Sequence, residues 1–202
     1  EQYGLFVGVT SLAAILAPFA SWGMGNLLVK NASRDRSVFR CYWGNSLIVT
    51  VVSGSVLLLV MMGMAKAFLP REIPWPLVFV VAISDLVFAK ILDLGTQAFQ
   101  AFGLLGKTAK LHVIASLSRV IGAVVLVWAF HRATAMSWSW IYLLASVLTT
   151  FLTLVWVNRS LGAPTLPLWR IKPEWLAWCY LPVSLSHQSM YTDIDNIMLV
   201  QR

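Results

Sequence analysis

The sequence predicts an all-α fold, a polytopic integral membrane helical bundle with six transmembrane helices. Of its 202 residues, 59% are hydrophobic and 11% are charged, whereas a soluble domain carries about 25% charged residues. The mean hydropathy is +0.77, and one apolar segment of membrane-spanning length follows another. A soluble core of this size could not bury so much apolar surface, so we expect a single transmembrane domain, residues 1–202.

The first three predicted spans each supply the roughly 20 apolar residues that cross about 30 Å of hydrocarbon. The first, residues 5–29, ends at a basic loop, and Pro18 within it is expected to kink the helix and free a carbonyl upstream. The second, residues 43–65, carries no charged side chain. The third, residues 77–102, follows a proline-rich loop and carries charges near its middle.

The other three predicted spans are of similar length. The fourth, residues 111–130, lies between a loop that begins at Gly103 and the turn His131-Arg132. The fifth covers residues 137–157. A longer polar loop, which contains three prolines, leads from the fifth span to the sixth at residues 175–200.

The basic side chains are distributed unevenly between the two alternating sets of loops. One set holds only Lys66, Arg71 and Arg132. Because Lys and Arg accumulate in cytoplasmic loops, we expect the richer set inside and both chain ends outside. The basic residues form no contiguous stripe, which argues against nucleic-acid binding despite the net charge of +7. The richer set is Lys30, Arg34, Arg36, Arg40, Lys107, Lys110, Arg159, Arg170 and Lys172.

Several tryptophans fall near the predicted membrane interfaces, where indole is favoured. Ordinary side-chain packing would explain them as well. They are Trp43, Trp75, Trp128, Trp138, Trp156, Trp169, Trp175 and Trp178.

Charged side chains occur near the middle of the third span, where each costs about 2.5–3.5 kcal/mol on insertion scales. On a regular helical wheel the polar residues of this span share well under half of the circumference. Lys90 and Asp93 are three residues apart and can pair. The arc indicates either the lining of an aqueous cavity or charges that neutralise one another in packing. It consists of Asp85, Lys90, Asp93, Thr96, Gln97 and Gln100.

The fourth span repeats this pattern with His112, Ser116 and Arg119, spaced four and three residues apart. The guanidinium of Arg119 keeps its charge and can bind a phosphate or carboxylate at two points. An arginine this deep in the membrane suits an anionic headgroup in a cavity. A salt bridge to Asp85 or Asp93 is the alternative, and the two arrangements could alternate.

The sixth span carries a third polar face. His187 could carry a proton, although a single histidine on a helix is more often simply hydrogen-bonded. Pro182 would kink or start this helix. The face consists of Ser184, His187, Gln188, Tyr191 and Asp195.

Signals for enzymatic chemistry are missing from the sequence. The segment Gly103–Thr108 ends in Gly-Lys-Thr, but a phosphate loop requires glycine five residues before Gly106, where Ala101 stands. The Cys and His residues do not have metal-ligand spacing. No Ser, His or Asp sits at a nucleophile elbow. We therefore expect no catalytic residue, no metal site and no cofactor.

Three stretches carry a resemblance to a known family. Glu1-Gln2-Tyr3-Gly4-Leu5-Phe6 resembles the (E)-x-Y-G-x-(F/Y) start of the second helix in polysaccharide flippases, the bacterial O-antigen and teichoic-acid exporters of the multidrug/oligosaccharidyl-lipid/polysaccharide superfamily. Gly23-Met24-Gly25-Asn26 is similar to the Gly-x-Gly element that closes that helix. Tyr191-Thr192-Asp193-Ile194-Asp195-Asn196-Ile197-Met198-Leu199 resembles the Tyr-x-x-(I)-Asp-x-(I)-Met-Leu tail of the seventh helix. Val200 stands where that pattern usually continues with glycine.

This resemblance covers the whole chain and implies helices two through seven of a longer protein with two bundles. It implies translocation of an undecaprenyl-diphosphate-linked oligosaccharide across the bacterial cytoplasmic membrane by alternating access. Membrane lipids surround such a protein, coupling to H+ or Na+ is possible, and a polysaccharide polymerase and a chain-length protein are possible partners.

On this reading, the expected site residues fall into two groups. The chemistry of cations and amides suggests a headgroup-binding group, and the carboxylates and a histidine suggest an ion-coupling group. The first comprises Arg119, Lys90, Gln97, Gln100 and Tyr191, and the second comprises Asp85, Asp93, Asp195 and His187.

Three other functions compete with this expectation. A cation-coupled multidrug exporter of the same superfamily would have a small hydrophobic cavity rich in carboxylates. A membrane glycosyltransferase or ligase would need long external loops with catalytic acids, but the external loops hold only Glu1 and Glu72. A membrane scaffold without transport would have every central charge paired and dry.

Overall fold

The computed structural model describes residues 2–68, 74–129 and 134–165, and the side chains of 6–66, 74–128 and 134–165. All regular structure in these residues is helical. The residues of five of the six expected spans are helical, and the sixth lies outside the described residues. The first span is α1 (Gln2–Leu16), a 3-10 turn (Ala17–Ser21) and α2 (Met24–Arg34). The second span is α3 (Phe39–Phe68), which follows a 3-10 turn (Arg36–Val38). The third span consists of α4 (Trp75–Ile83), a π segment (Ser84–Phe88) and α5 (Ala89–Ala101). The fourth span is α6 (Leu105–Ala129), and the fifth is α7 (Ala135–Leu161).

Length and hydropathy make three of these helical segments able to cross a membrane: Arg36–Lys66, Leu105–Trp128 and Ala135–Leu161. The bent pair Phe6–Ser21 and Met24–Arg34 makes a fourth candidate if it is taken as one span. The third span is not a single long α-helix of this kind, because the π segment over Ser84–Phe88 divides it into α4 and α5, of 9 and 13 residues. The helical membrane bundle expected from the sequence is therefore confirmed.

The first span is broken in its middle. Trp22 and Gly23 adopt left-handed backbone angles, with φ of 48° and 72°, and the two halves meet at a bend of 40°. The break follows the turn that contains Pro18, and the Ala20 carbonyl accepts a hydrogen bond from the Ser53 hydroxyl of α3. The glycine element expected to close this helix thus lies at an internal break, after which α2 continues to Arg34.

The third span contains a π segment over Ser84–Phe88. The N–H of Ala89 donates to the carbonyl of Ser84, five residues earlier. A π turn uses more residues per turn than an α-helix, so every residue after it falls behind its regular helical phase. A regular helical wheel therefore gives the wrong angle between Asp85 and the polar residues that follow Asp85 in the third span.

The third span lies at the centre of the described bundle, packed against the four other spans. The first span covers it with α1 and α2, and α3 and α7 flank it. The fourth span, α6, packs mainly on α5 and α7 and lies at the edge.

Two apolar clusters lie toward opposite ends of the helices. The first core includes Val9, Met61 and Val81, and the second core includes Trp43, Phe99 and Val157. Between them lies a layer of polar side chains from α3, the third span and α7, which we call the polar layer. Its members are Ser46, Thr50, Ser53, Ser84, Asp85, Lys90, Asp93, Tyr142, Ser146, Thr149, Thr150 and Thr153.

Three basic loops meet at one end of the bundle, which we call the basic end. The N–H of Thr165 donates to the Arg40 carbonyl over 3.2 Å, and the Lys107 ammonium lies 3.1 Å from the Ser160 hydroxyl. Asp35 is the only acid of the described residues outside the spans, and hydrogen bonds from the Ser37 side chain and backbone lower the pKa of its carboxyl. This end is therefore strongly cationic.

Trp43 shows that one of the expected interface tryptophans is a packing residue. It is fully buried in the second core, stacks on Phe39, and donates its indole N–H to Asn158 over 3.1 Å. Trp75 and Trp128 are exposed instead.

Candidate functional site

The first contact of the candidate site joins the third and fifth spans. The hydroxyl of Tyr142 donates to Oδ1 of Asp85 over 2.6 Å. Asp85 lies within the π segment, a feature that is common at functional sites because it redirects side chains and carbonyls. The carboxylate is partly buried, and this short hydrogen bond fixes its position against α7.

Tyr142 in turn holds Arg119 of α6. The guanidinium carbon lies 5.1 Å from the centre of the Tyr142 ring, a distance at which a cation is attracted to an aromatic face. Phe6 of α1 packs edge-on against the same ring, with centroids 5.9 Å apart. The ring is thus held by three contacts from three other spans: the hydrogen bond to Asp85, the edge-on packing of Phe6 and the Arg119 cation.

Arg119 lies near the middle of its span, and its side chain is exposed. At 1.5 Å per residue, Asp85 and Arg119 lie about 3–5 Å from the middle of their spans. Among the described residues, the Arg119 guanidinium lies over the Tyr142 ring and forms no ion pair with Asp85 or Asp93. Stacking leaves the N–H edge of a guanidinium available for two-point binding of a phosphate.

Lys90 and Asp93 form an ion pair on α5. The ammonium lies 3.4 Å from Oδ2 of Asp93, with 14% of the Lys90 side chain and 48% of the Asp93 side chain exposed. Asp85 also interacts electrostatically with Arg119 and Lys90. The four charges near the middle of the third and fourth spans sum to zero, and Arg119 is the cation of this set that forms no ion pair with a carboxylate of the described residues.

The remaining predicted residues are dispersed. The Gln97 side chain lies against the backbone of Gly25, where a Cβ atom would overlap it, and Gln100 is exposed near the end of α5. His112 and Ser116 are exposed on α6. The structure therefore brings Asp85 and Arg119 together and keeps the two glutamines nearer the basic end. Tyr191, His187 and Asp195 lie outside the described residues.

Sequence reasoning missed Tyr142, which links the two central charges. The fifth span has no charged residue in its middle, so it lacks the charge pattern that marks the third and fourth spans. One signal was present: small hydroxyl residues at helical spacing predict a polar inner face on α7, and Tyr142 lies at its start. The hydroxyl of Thr150 on this face donates to the Phe88 carbonyl of the π segment over 2.9 Å. The other hydroxyl residues are Ser146, Thr149 and Thr153.

The chemistry available in this site is recognition and charge compensation. It offers one stacked guanidinium, one paired ammonium, two carboxylates and a line of hydroxyl groups. Within residues 2–68, 74–129 and 134–165, no three His, Cys, Asp or Glu side chains form a group that could hold a metal ion.

Comparison with known proteins identifies the family. The family model described as "Polysaccharide biosynthesis protein" matches residues 1–199, nearly the whole chain. Comparisons with curated proteins and with solved structures returned no match. The resemblance noted in the sequence is thus supported by a match that covers all five described spans, and the chain belongs to the polysaccharide biosynthesis protein family.

Proposed function

We propose that this protein moves an undecaprenyl-diphosphate-linked oligosaccharide across the bacterial cytoplasmic membrane without hydrolysing it. Family membership supports a role in polysaccharide biosynthesis, and the helical bundle supports a role in the membrane. The observation that carries the proposal is the exposed Arg119 guanidinium, held near the middle of its span on the Tyr142 ring. A guanidinium binds the oxygens of a phosphate or carboxylate at two points, and a diphosphate offers such oxygens.

Alternating access is the proposed mechanism. Transporters of this kind use discontinuous helices near the membrane midplane. The first span is broken at Trp22 and Gly23, the third contains the π segment, and the 3-10 turn of the first span packs against that segment. Two irregular helices in contact provide a place where the bundle can bend.

The proposed roles of the other predicted residues follow from their positions. Lys90 would be a second contact for the headgroup once its ammonium leaves Asp93 and binds a phosphate. Asp93, half exposed and paired over 3.4 Å, is the described carboxylate best placed to couple movement to H+ or Na+. Gln97 and Gln100 would contact the sugar or headgroup nearer the basic end.

Replacement of Arg119 tests this function. Arg119→Ala is expected to lower surface polysaccharide about tenfold or more, the effect of losing about 1.4 kcal/mol of binding. The amount of surface polysaccharide with Arg119→Lys is expected to lie between those of wild type and Arg119→Ala, since lysine keeps the charge but loses the planar fork. The measurement is the amount of surface polysaccharide in cells that depend on this protein, normalised to its abundance in the membrane.

Arg159→Ala is the matched control, because Arg159 is also an exposed arginine but lies in the last turn of α7 at the basic end. It is expected to leave export unchanged. Full export by Arg119→Ala at normal membrane abundance would contradict the proposed function.

A further inference from the structure

The contacts of Asp85 fit an orienting role for its carboxylate. Oδ1 accepts the 2.6 Å hydrogen bond from Tyr142, and the same ring carries Arg119 at 5.1 Å. The three side chains come from the third, fifth and fourth spans, so each link crosses between helices. Arg119 is therefore placed by Asp85 through Tyr142, with no direct ion pair to the carboxylate.

The backbone around Asp85 supports the same role. The π segment makes Asp85 part of a distorted turn, and Thr150 of α7 donates to the Phe88 carbonyl at the end of that turn. Gly54 of α3 lies against the Leu86 carbonyl on the other side, where an added Cβ would be 2.5 Å from the oxygen. Neighbours on two sides thus hold the segment that presents Asp85 to Tyr142.

We propose that Tyr142 and Asp85 are positioning residues that orient the Arg119 guanidinium toward the diphosphate of the substrate. Tyr142 supplies the face on which the guanidinium rests, and Asp85 fixes the position of the outer end of the ring by accepting a hydrogen bond from its hydroxyl. The guanidinium then presents its free N–H edge to the ligand. This inference rests on the proposed function and assigns Asp85 a hydrogen-bonding role in place of ion coupling.

The positioning role and the ion-coupling role of Asp85 predict different results when its carboxylate is replaced by an amide. Asparagine has an oxygen that can accept the Tyr142 hydrogen bond, but it neither binds a proton nor carries a charge at neutral pH. If Asp85 positions the ring, Asp85→Asn should keep the KM for a polyprenyl-diphosphate oligosaccharide within about threefold of wild type, whereas Asp85→Leu should raise it about tenfold. If Asp85 couples ions, both variants should lose transport alike.

Tyr142 is tested in the same assay, with protein reconstituted in vesicles and transport measured against substrate concentration. Tyr142→Phe keeps the ring and loses the hydroxyl, so it should behave as Asp85→Leu, with a raised KM and a nearly normal maximal rate. Tyr142→Leu removes the ring, so its loss of transport should approach that of Arg119→Ala. Trp140→Leu, an exposed aromatic two residues away on α7, should match wild type.

The outcomes separate this inference from the proposed function. Normal transport by Arg119→Ala would remove the proposed function itself. Loss of transport by Arg119→Ala together with a normal KM in Tyr142→Phe and Tyr142→Leu would overturn only the positioning role of Tyr142. An equal loss of transport in Asp85→Asn and Asp85→Leu would overturn the positioning role of Asp85. Should Asp85→Leu fail to fold, as judged by gel filtration, Tyr142→Phe decides, since it changes a single hydroxyl group.

Discussion

Single residues in the polar layer differ in whether their hydroxyl groups have a partner. Four of them donate to a carbonyl one turn earlier, as Thr153 does to Thr149 over 2.8 Å. Among the described residues, Thr50 is the exception: its side chain is fully buried and its hydroxyl has no hydrogen-bond partner. A buried hydroxyl without a partner costs about 1–3 kcal/mol.

Thr50→Val is expected to raise the free energy of unfolding by about 1 kcal/mol, because valine keeps the shape of threonine and removes the unpaired group. The measurement is the thermal midpoint of the purified protein in detergent. Thr153→Val is the control, since Thr153 is equally buried but its hydroxyl is bonded, so its midpoint should stay the same or fall. A lower midpoint for Thr50→Val than for wild type would mean that a bound water or ion satisfies the hydroxyl.

At the scale of helices, the close approach of α3 to the π segment depends on a glycine. A Cβ at Gly54 would lie 2.5 Å from the Leu86 carbonyl oxygen and 3.1 Å from a Val87 methyl group. Small residues permit such approach between membrane helices, where packing contributes much of the association energy. The π segment can therefore sit against α3 only while position 54 has no side chain.

Gly54→Ala is expected to destabilise the protein by about 1–3 kcal/mol, the usual cost of overpacking, and to reduce transport because the π segment presents Asp85. Gly63→Ala on the same helix is the matched control, since a Cβ there meets nothing within 4 Å. Alanine also has the higher helix propensity, so this control should be neutral or slightly stabilising. Equal thermal midpoints for the two variants would contradict the proposed close packing.

For the molecule as a whole, the distribution of charge sets the orientation that we propose. The basic loops meet at one end through contacts such as that of Arg36 with the Phe102 ring at 5.4 Å. At the opposite end Lys66 lies over Trp75. Because the positive-inside rule counts cations near span ends, the basic end is expected to face the cytoplasm.

Labelling of single cysteines tests this orientation. In a variant with Cys41 and Cys179 replaced by serine, Pro74→Cys at the opposite end should react with a membrane-impermeant maleimide in intact cells. Ser33→Cys at the basic end should react only after the membrane is permeabilised. Both positions are exposed, so access to the reagent depends on the side of the membrane. The reverse pattern would refute the orientation.

The five described spans were predictable because hydropathy and length are local properties of the sequence. The helices of the second and fifth spans, α3 and α7, extend a few residues beyond both of their predicted bounds, as α3 does at Phe39 and Phe68, since polar residues at span ends continue the helix outside the apolar segment. Regular periodicity could not predict the π segment, because an inserted residue changes the phase without a distinctive composition. It also could not predict Tyr142, whose role depends on two residues from other spans.

By itself, the sequence determined that this chain is a helical membrane protein with one cationic side, and that charges occur in the middle of its third and fourth spans. These properties follow from the kind and order of residues along each helix. The spacing of Lys90 and Asp93 also allowed their ion pair within α5. Only the tertiary structure decided that Arg119 meets Asp85 through Tyr142. The physical reason is that such contacts depend on which helix faces meet, and here a break and a π turn set those faces.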